Sequence, residues 1–335
     1  MQILVTGNLG YIGTVLTEVL EERKETIKGY DVGIFKECLL EKVKPLNKQI
    51  IKDIRDVDIK DLIDSEIVIH MSALSNDPLG ELNTIHTEEI NFHSTIKIAK
   101  LAKQAGCRRF IYVSSLSMYG ISNIDGELDE YKSEKNPLTA YARTKWEAEQ
   151  YLSKLVSDKF EIVKLRPSTV YGYSPRLRCD IVFNNLLASG YTTGNITIKS
   201  DGSPWRPAIH VKDLCSAITA CIDAPSALVN DKVFNVGVQD GNYKIKELAD
   251  VVKKVLPNCK IIFTNEHNKD VRTYKISFKR ILSDLKDFYK PSWNLEKGAY
   301  EMINKFKKVN FSKADFIGSK TNRIMKLKES RILND

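Results

Sequence analysis

The chain begins Gln2-Ile3-Leu4-Val5-Thr6-Gly7-Asn8-Leu9-Gly10-Tyr11-Ile12-Gly13. Gln2–Thr6 reads as a strand and Tyr11–Glu22 as a helix, with three glycines at spacing three between them. A pyrophosphate needs this arrangement. One glycine permits the tight turn, another lets backbone N–H groups approach the phosphates, and the last lets the helix pack on the sheet. The helix N-terminus adds partial positive charge. The position directly after the first strand makes the motif specific.

Working outward, further apolar β-branched runs occur at Thr26–Asp31, Gln49–Lys52, Glu66–His70, Phe110–Ser114 and Glu161–Leu165. Helical patterns at His86–Ala105 and Ala140–Leu155 lie between them. Strands alternating with helices imply βαβ units. Their continuous apolarity implies helices on both faces. The expected fold is α/β, a Rossmann-type doubly wound parallel sheet. The rhythm loosens after residue 166, with helices expected at Ile181–Ala188, Val211–Ala224 and Tyr243–Leu256. Strands are expected at Lys232–Val236 and Lys260–Thr264, and Ser189–Asn195 reads as a Gly/Thr-rich segment.

Asp31 ends the second strand, eighteen residues after Gly13. An acid there can accept from both ribose hydroxyls and repels a 2′-phosphate, so NAD is expected rather than NADP. No arginine adjoins it in sequence. Asp53, after the third strand, is placed to accept from an adenine amine.

The formal net charge of the 335 residues is +8. Residues 305–335 hold nine basic and three acidic side chains, a net of +6, which leaves +2 for the other 304. A wholly basic nucleic-acid-binding surface is therefore not expected. No apolar run is long enough to span a bilayer, and Met1 runs straight into a strand-like segment with no basic n-region, so a secretory signal is not expected. The six cysteines form no Cys-x-x-Cys pair, so free thiols in a reducing cytoplasm are expected. The histidines do not cluster, and no metal is expected.

Ala140-Tyr141-Ala142-Arg143-Thr144-Lys145 places Tyr141 and Lys145 at i and i+4, on one helical face. Half-ionising a tyrosine at pH 7 requires roughly 4 kcal/mol of phenolate stabilisation. A nearby ammonium supplies part of that, and a cationic nicotinamide the rest. Upstream, the strand Phe110–Ser114 runs into Ser114-Ser115-Leu116-Ser117-Met118-Tyr119-Gly120. A serine at the carboxyl edge of a parallel sheet can hold a substrate hydroxyl in register with the tyrosine.

Together with His70-Met71-Ser72-Ala73, Asn91, Leu165-Arg166-Pro167, Trp205-Arg206-Pro207 and Phe234-Asn235-Val236-Gly237, these motifs resemble the extended short-chain dehydrogenase/reductase family. The branch is that of the NAD-dependent sugar-nucleotide epimerases and dehydratases. The resemblance covers roughly residues 2 to 300. It implies Ser115, Tyr141 and Lys145 as catalytic residues. It implies NAD contacts from Gly7, Gly10, Tyr11, Ile12, Gly13, Asp31, Asp53, Ile54, Met71, Ser72, Ala73, Asn91 and Lys145. A nucleoside-diphosphate sugar would meet Ser115, Asn185, Arg206 and Arg272, with Asp77 and Thr169 toward the sugar; Arg176 and Arg178 are further candidates for phosphate. The implied organisation is an NAD-binding domain at 1–166, completed near 211–237, a substrate region at 167–304, and a basic tail at 305–335. A homodimer is also implied.

The resemblance narrows the reaction. Sugar 4,6-dehydratases carry an Asp-Glu pair after the serine, where this chain has Leu116-Ser117. Members that epimerise C3 or C5 use a cysteine where this chain has Ser117. The expected activity is C4 epimerisation through a 4-keto intermediate. The alternatives are a sugar-nucleotide 4-dehydrogenase or ketoreductase, and a non-catalytic dinucleotide-binding regulator.

Overall fold

The computed structural model describes residues 1–121, 126–264 and 273–329. Seven parallel strands form the central sheet: β1 (Gln2–Thr6), β2 (Thr26–Asp31), β3 (Lys48–Ile51), β4 (Ile67–His70), β5 (Arg109–Val113), β6 (Glu161–Pro167) and β7 (Lys232–Val236). Their order is β7-β6-β5-β4-β1-β2-β3, so the direction of winding reverses between β1 and β4. A crevice opens beyond the carboxyl ends of strands at such a reversal.

Alternation along β1 divides the core. Ile3 and Val5 face a cluster shared with helices α1 (Tyr11–Glu22) and α5 (Val211–Asp223). Leu4 faces the opposite cluster, shared with α2 (Ser94–Gln104) and α3 (Ala140–Ser153). Helices therefore cover both faces, and the sheet strands read as continuous apolar runs for that reason. All six cysteines are buried and unpaired. Among the described residues no helix is long and apolar enough to cross a membrane.

A buried ion pair fixes α3 against β6. The Arg166 guanidinium donates to Glu149 through Nε (3.1 Å) and Nη2 (2.7 Å), and to the Tyr119 hydroxyl through Nη1 (2.9 Å). It lies 5.5 Å from the Tyr119 and Trp146 ring centroids. The helix carrying Tyr141 and Lys145 is thereby locked at one height above the sheet.

Three elements depart from the sequence reading, one being the helix expected from Tyr243, which starts at Ile245 because Asn242–Lys244 pairs as a strand. The helix expected over His86–Ala105 is Thr84–Glu88 and Ser94–Gln104, joined by a π-helical turn at Glu89–His93. That wider turn carries Asn91. The helix expected to stop at Ala188 is α4 (Val182–Thr193), which continues through Ser189 and Gly190. Thr192 and Thr193 bond back to the carbonyls four residues earlier, and Gly194, at φ 71°, ends the helix.

Smaller sheets complete the C-terminal region. Trp205–His210 pairs in parallel with Thr169–Tyr171 and antiparallel with Asn242–Lys244. Lys260–Phe263 pairs with Asn195–Ile198. Residue 305 lies inside the helix Leu295–Lys308, whose Met302, Ile303 and Phe306 are buried, so the basic stretch starts within a packed element. A final helix spans Arg323–Glu329.

Candidate active site

The crevice at the winding reversal has an empty volume of about 1210 Å³, part of it open to solvent, and is long enough to be walled by both the β1 and β2 ends of the sheet. Gly7, Gly10, Tyr11, Ile12 and Gly13 form its floor. Gly7 has φ 74°, and a Cβ there would lie 3.0 Å from the Ser72 nitrogen. A Cβ on Gly13 would lie 2.2 Å from the Gly7 carbonyl oxygen. Both glycines are therefore required, the first by backbone conformation and the second by close approach.

Asp31, Asp53, Ile54, Met71, Ser72 and Ala73 also line the crevice. Asp31 accepts from the Leu9 N–H (3.1 Å) and the Gly33 N–H (2.7 Å), while burial raises its pKa. Asp53 caps a short turn, and Arg55 holds both its oxygens, which lowers its pKa despite burial. Asn91 does not reach the crevice wall. It is fully buried and spends its amide on the Leu74 N–H (2.9 Å) and carbonyl (3.2 Å), holding the loop after β4 from behind.

Arg176 and Arg178, candidates for phosphate from the sequence, are joined by Arg323, which the sequence did not single out. Arg176, far along the chain, exerts an attractive charge on Asp31 and donates to the Phe35 carbonyl. Its Nε is buried without a hydrogen-bond partner among the described residues. Arg178 lines the crevice, bonds Asp180 (2.8 and 3.0 Å) and the Ser75 hydroxyl (2.8 Å), and acts electrostatically on Tyr141. Arg323, from the basic C-terminal stretch, lines the crevice too. In the sequence it is one of the nine basic residues of 305–335, with nothing local to mark it.

Tyr141, Ser115 and Lys145 converge beyond β5. Thr139 caps α3 by accepting from the Ala142 N–H, which sets Tyr141 in the first turn. Ser115 caps the turn Leu116–Tyr119 and accepts from the Ser117 N–H (3.1 Å). The Ser115 side chain and the Asn76 backbone lie close enough to the Tyr141 phenol to act on its pKa. Asn76 holds φ 85°, a conformation few non-glycine residues adopt, and such strain concentrates at working sites.

Electrostatics differ from the sequence expectation. Burial pushes Tyr141 up to about 12, with Asp77 raising it further and Ser115, Arg178 and Asn76 lowering it. Burial pulls Lys145 down to about 7, opposed by Glu149. Lys145 Nζ turns to the Val113 carbonyl (2.9 Å). Desolvation therefore dominates both shifts.

The expected sugar-side residues separate. Asp77 stands beside the catalytic group, accepting from the Thr139 hydroxyl and, at 3.4 Å, from Ser117. Thr169, Asn185 and Arg206 do not line the crevice. Thr169 pairs with Ala208, Asn185 donates to the Cys179 carbonyl (2.8 Å), and Arg206 donates to the Trp205 carbonyl (2.9 Å). Arg272 lies outside the described residues. Among the described residues no group of His, Cys, Asp and Glu is placed to hold a metal ion.

The glycine cradle and the carboxylate at the end of β2 fit NAD: the cradle would hold the diphosphate and Asp31 the ribose. Comparison with known proteins agrees. Residues 3–237 match the model of the NAD dependent epimerase/dehydratase family. The UDP-glucose 4-epimerase of Vibrio cholerae is 30% identical over 269 residues, covering 75% of this chain and 76% of that protein. UDP-glucuronic acid decarboxylase 1 of Arabidopsis thaliana is 26% identical over 321 residues, covering 92% and 70%. The fold matches UDP-glucuronic acid 4-epimerase from Bacillus cereus, solved with UDP-glucuronic acid and NAD, at TM-score 0.77 and 22% identity over 92% of this chain and 100% of that one. It matches UDP-glucose 4-epimerase from Thermotoga maritima at TM-score 0.78 and 20% identity, with 92% and 100% covered. The glycine floor, the Asp31 wall and a family match over most of the chain converge: the protein is an enzyme of the NAD-dependent epimerase/dehydratase family, and NAD is its cofactor.

Proposed function

We propose that the protein is an NAD-dependent nucleoside-diphosphate-sugar epimerase that inverts C4 through a 4-keto intermediate. One observation carries the reading. Ser115, Tyr141 and Lys145 meet at the end of β5, and the positions after Ser115 are a buried Leu116 and Ser117. The first three serve hydride and proton transfer at one carbinol. The next two are not the Asp-Glu pair that dehydration needs. When bound, NAD supplies the hydride acceptor and a cationic ring beside Tyr141.

In this reading Ser115 holds the C4 hydroxyl against the Tyr141 oxygen, and Tyr141 takes its proton. Tyr141 returns a proton after the ketone turns its other face. Lys145 contributes its charge at the sugar end of the cofactor site. Asn185, Arg206 and Arg272 would hold the diphosphate, guanidinium groups suiting bidentate contact. Thr169 and Asp77 would face the sugar. The epimerases and decarboxylases similar to this chain act on UDP-sugars by name, which makes UDP-hexoses and UDP-hexuronic acids the first substrates to try. The reading carries with it a homodimer in the cytoplasm, which sedimentation and fractionation would test.

A second reading rests on Asp77. Its carboxylate lies 3.4 Å from the Ser117 hydroxyl, so an acid reaches the edge of the site from another loop. That favours proton removal beside the ketone, followed by elimination. Product NMR separates the two: inverted C4 supports the first, and an unsaturated or deoxy sugar supports the second.

A further inference from the structure

Arg323 and Leu327, from the helix Arg323–Glu329, line the cofactor crevice. Leu327, 1% exposed, shares an apolar cluster with Leu74 and Leu79 from the segment after β4, and Ile34 and Phe35 from the loop after β2 pack against that cluster. It therefore ties the two lips of the crevice together where the winding reverses. The approach to this helix is anchored. The Thr321 carbonyl accepts from the Cys179 N–H at 2.9 Å. Arg323 donates to the Arg176 carbonyl (2.8 Å) and the Lys320 carbonyl (3.1 Å), and its guanidinium lies 4.8 Å from the Phe35 ring centroid.

Arg323 is 2% exposed, yet it forms no ion pair with a carboxylate among the described residues. Desolvation and the nearby Arg178 and Arg176 push its pKa down to about 10, with Asp180 and Cys38 opposing. Nearby, Arg176 leaves its Nε buried and without a hydrogen-bond partner among the described residues. Three buried arginines, Arg176, Arg178 and Arg323, thus face two carboxylates, Asp31 and Asp180, and a buried cation in excess of its counter-charge is costly. The missing charge is anionic, and the glycine cradle of the same crevice is shaped for a diphosphate.

We infer that the C-terminal helix is the fourth wall of the NAD site, with Arg323 a ligand of the cofactor's diphosphate and Leu327 the latch that keeps the cofactor from exchanging. The basic terminal stretch thus acts on the enzyme's own anionic cofactor. This goes beyond the proposed reaction and holds whichever sugar carbon is attacked.

The test uses full-length protein freed of NAD: wild type, Arg323→Gln, Leu327→Ala and, as control, the exposed Lys328→Gln. NAD affinity is measured by calorimetry and the release rate of NADH by stopped-flow fluorescence, without sugar. Arg323→Gln is expected to raise the NAD Kd about 10- to 100-fold, the range of a charge-assisted hydrogen bond. Leu327→Ala is expected to speed release about tenfold or more. Lys328→Gln should match wild type. Unchanged affinity and release in the first two variants overturn the inference. Tighter binding overturns it as well, because it would mean the helix competes with NAD. Should Leu327→Ala not fold, Arg323→Gln decides alone through its unfolding midpoint. The inference requires that midpoint to hold without NAD and to lose most of the rise that NAD gives the wild type. A merely structural arginine would show a lower midpoint with the rise intact.

Discussion

Lys145→Met should stabilise the cofactor-free protein, and by more in acid than in alkali. Lys145 is 2% exposed, and burial pulls its pKa from 10.5 to about 7. With the folded pKa below the unfolded one, the unfolded chain binds more protons between those values. The penalty is absent above 10.5, grows as pH falls, and is fully present below about 7. At roughly 1.4 kcal/mol per pH unit it is about 2 kcal/mol at pH 9 and about 5 kcal/mol at pH 6. The substitution also strips the Val113 carbonyl of its donor, a loss of about 1 kcal/mol at every pH. Packing changes are likewise independent of pH. The variant's advantage should therefore be about 3 kcal/mol larger at pH 6 than at pH 9. Urea unfolding of both proteins at the two pH values measures this. An advantage that is equal at both refutes a chargeable, desolvated Lys145. The enzyme keeps the lysine at the expense of its own stability, as active sites commonly do.

Tyr141→Phe should bind NAD as the wild type does and lose about 10²- to 10⁴-fold in turnover, the contribution of one positioned acid–base group. Calorimetry and a steady-state assay check the two halves separately, and full activity would remove Tyr141 from the mechanism. Glu149→Gln leaves Arg166 buried without its carboxylate and should cost about 3–5 kcal/mol in urea unfolding. Gly13→Ala forces a Cβ to within 2.2 Å of the Gly7 oxygen, so it should abolish NAD retention, read from the nucleotide released on denaturation.

What the sequence discloses is local. The glycine turn, the strand-end Asp31 and the Tyr141/Lys145 spacing lie within one βα unit or one helix, where period and turn chemistry decide the outcome. The π-helical turn at Glu89–His93 was not legible, because its benefit is Asn91 reaching the Leu74 backbone across the fold. The length of α4 depended on Gly190 packing against Ile196, Leu256 and Cys259, contacts no window of sequence contains. Arg176 beside Asp31 and Asp77 beside Ser117 are products of long-range topology in the same way. The charge count located the basic excess in residues 305–335 and argued against a polyanion surface, but it could not show that the fold brings Arg323 to the cofactor crevice.

The most direct test of the proposed reaction follows purified enzyme, carrying only its resident NAD, with a panel of UDP-sugars by proton NMR. Conversion of one sugar to its C4 epimer over many turnovers, with the resident NAD left unchanged in amount, is the expected result. A keto-sugar released with stoichiometric NADH, or an unsaturated or decarboxylated product, would contradict it.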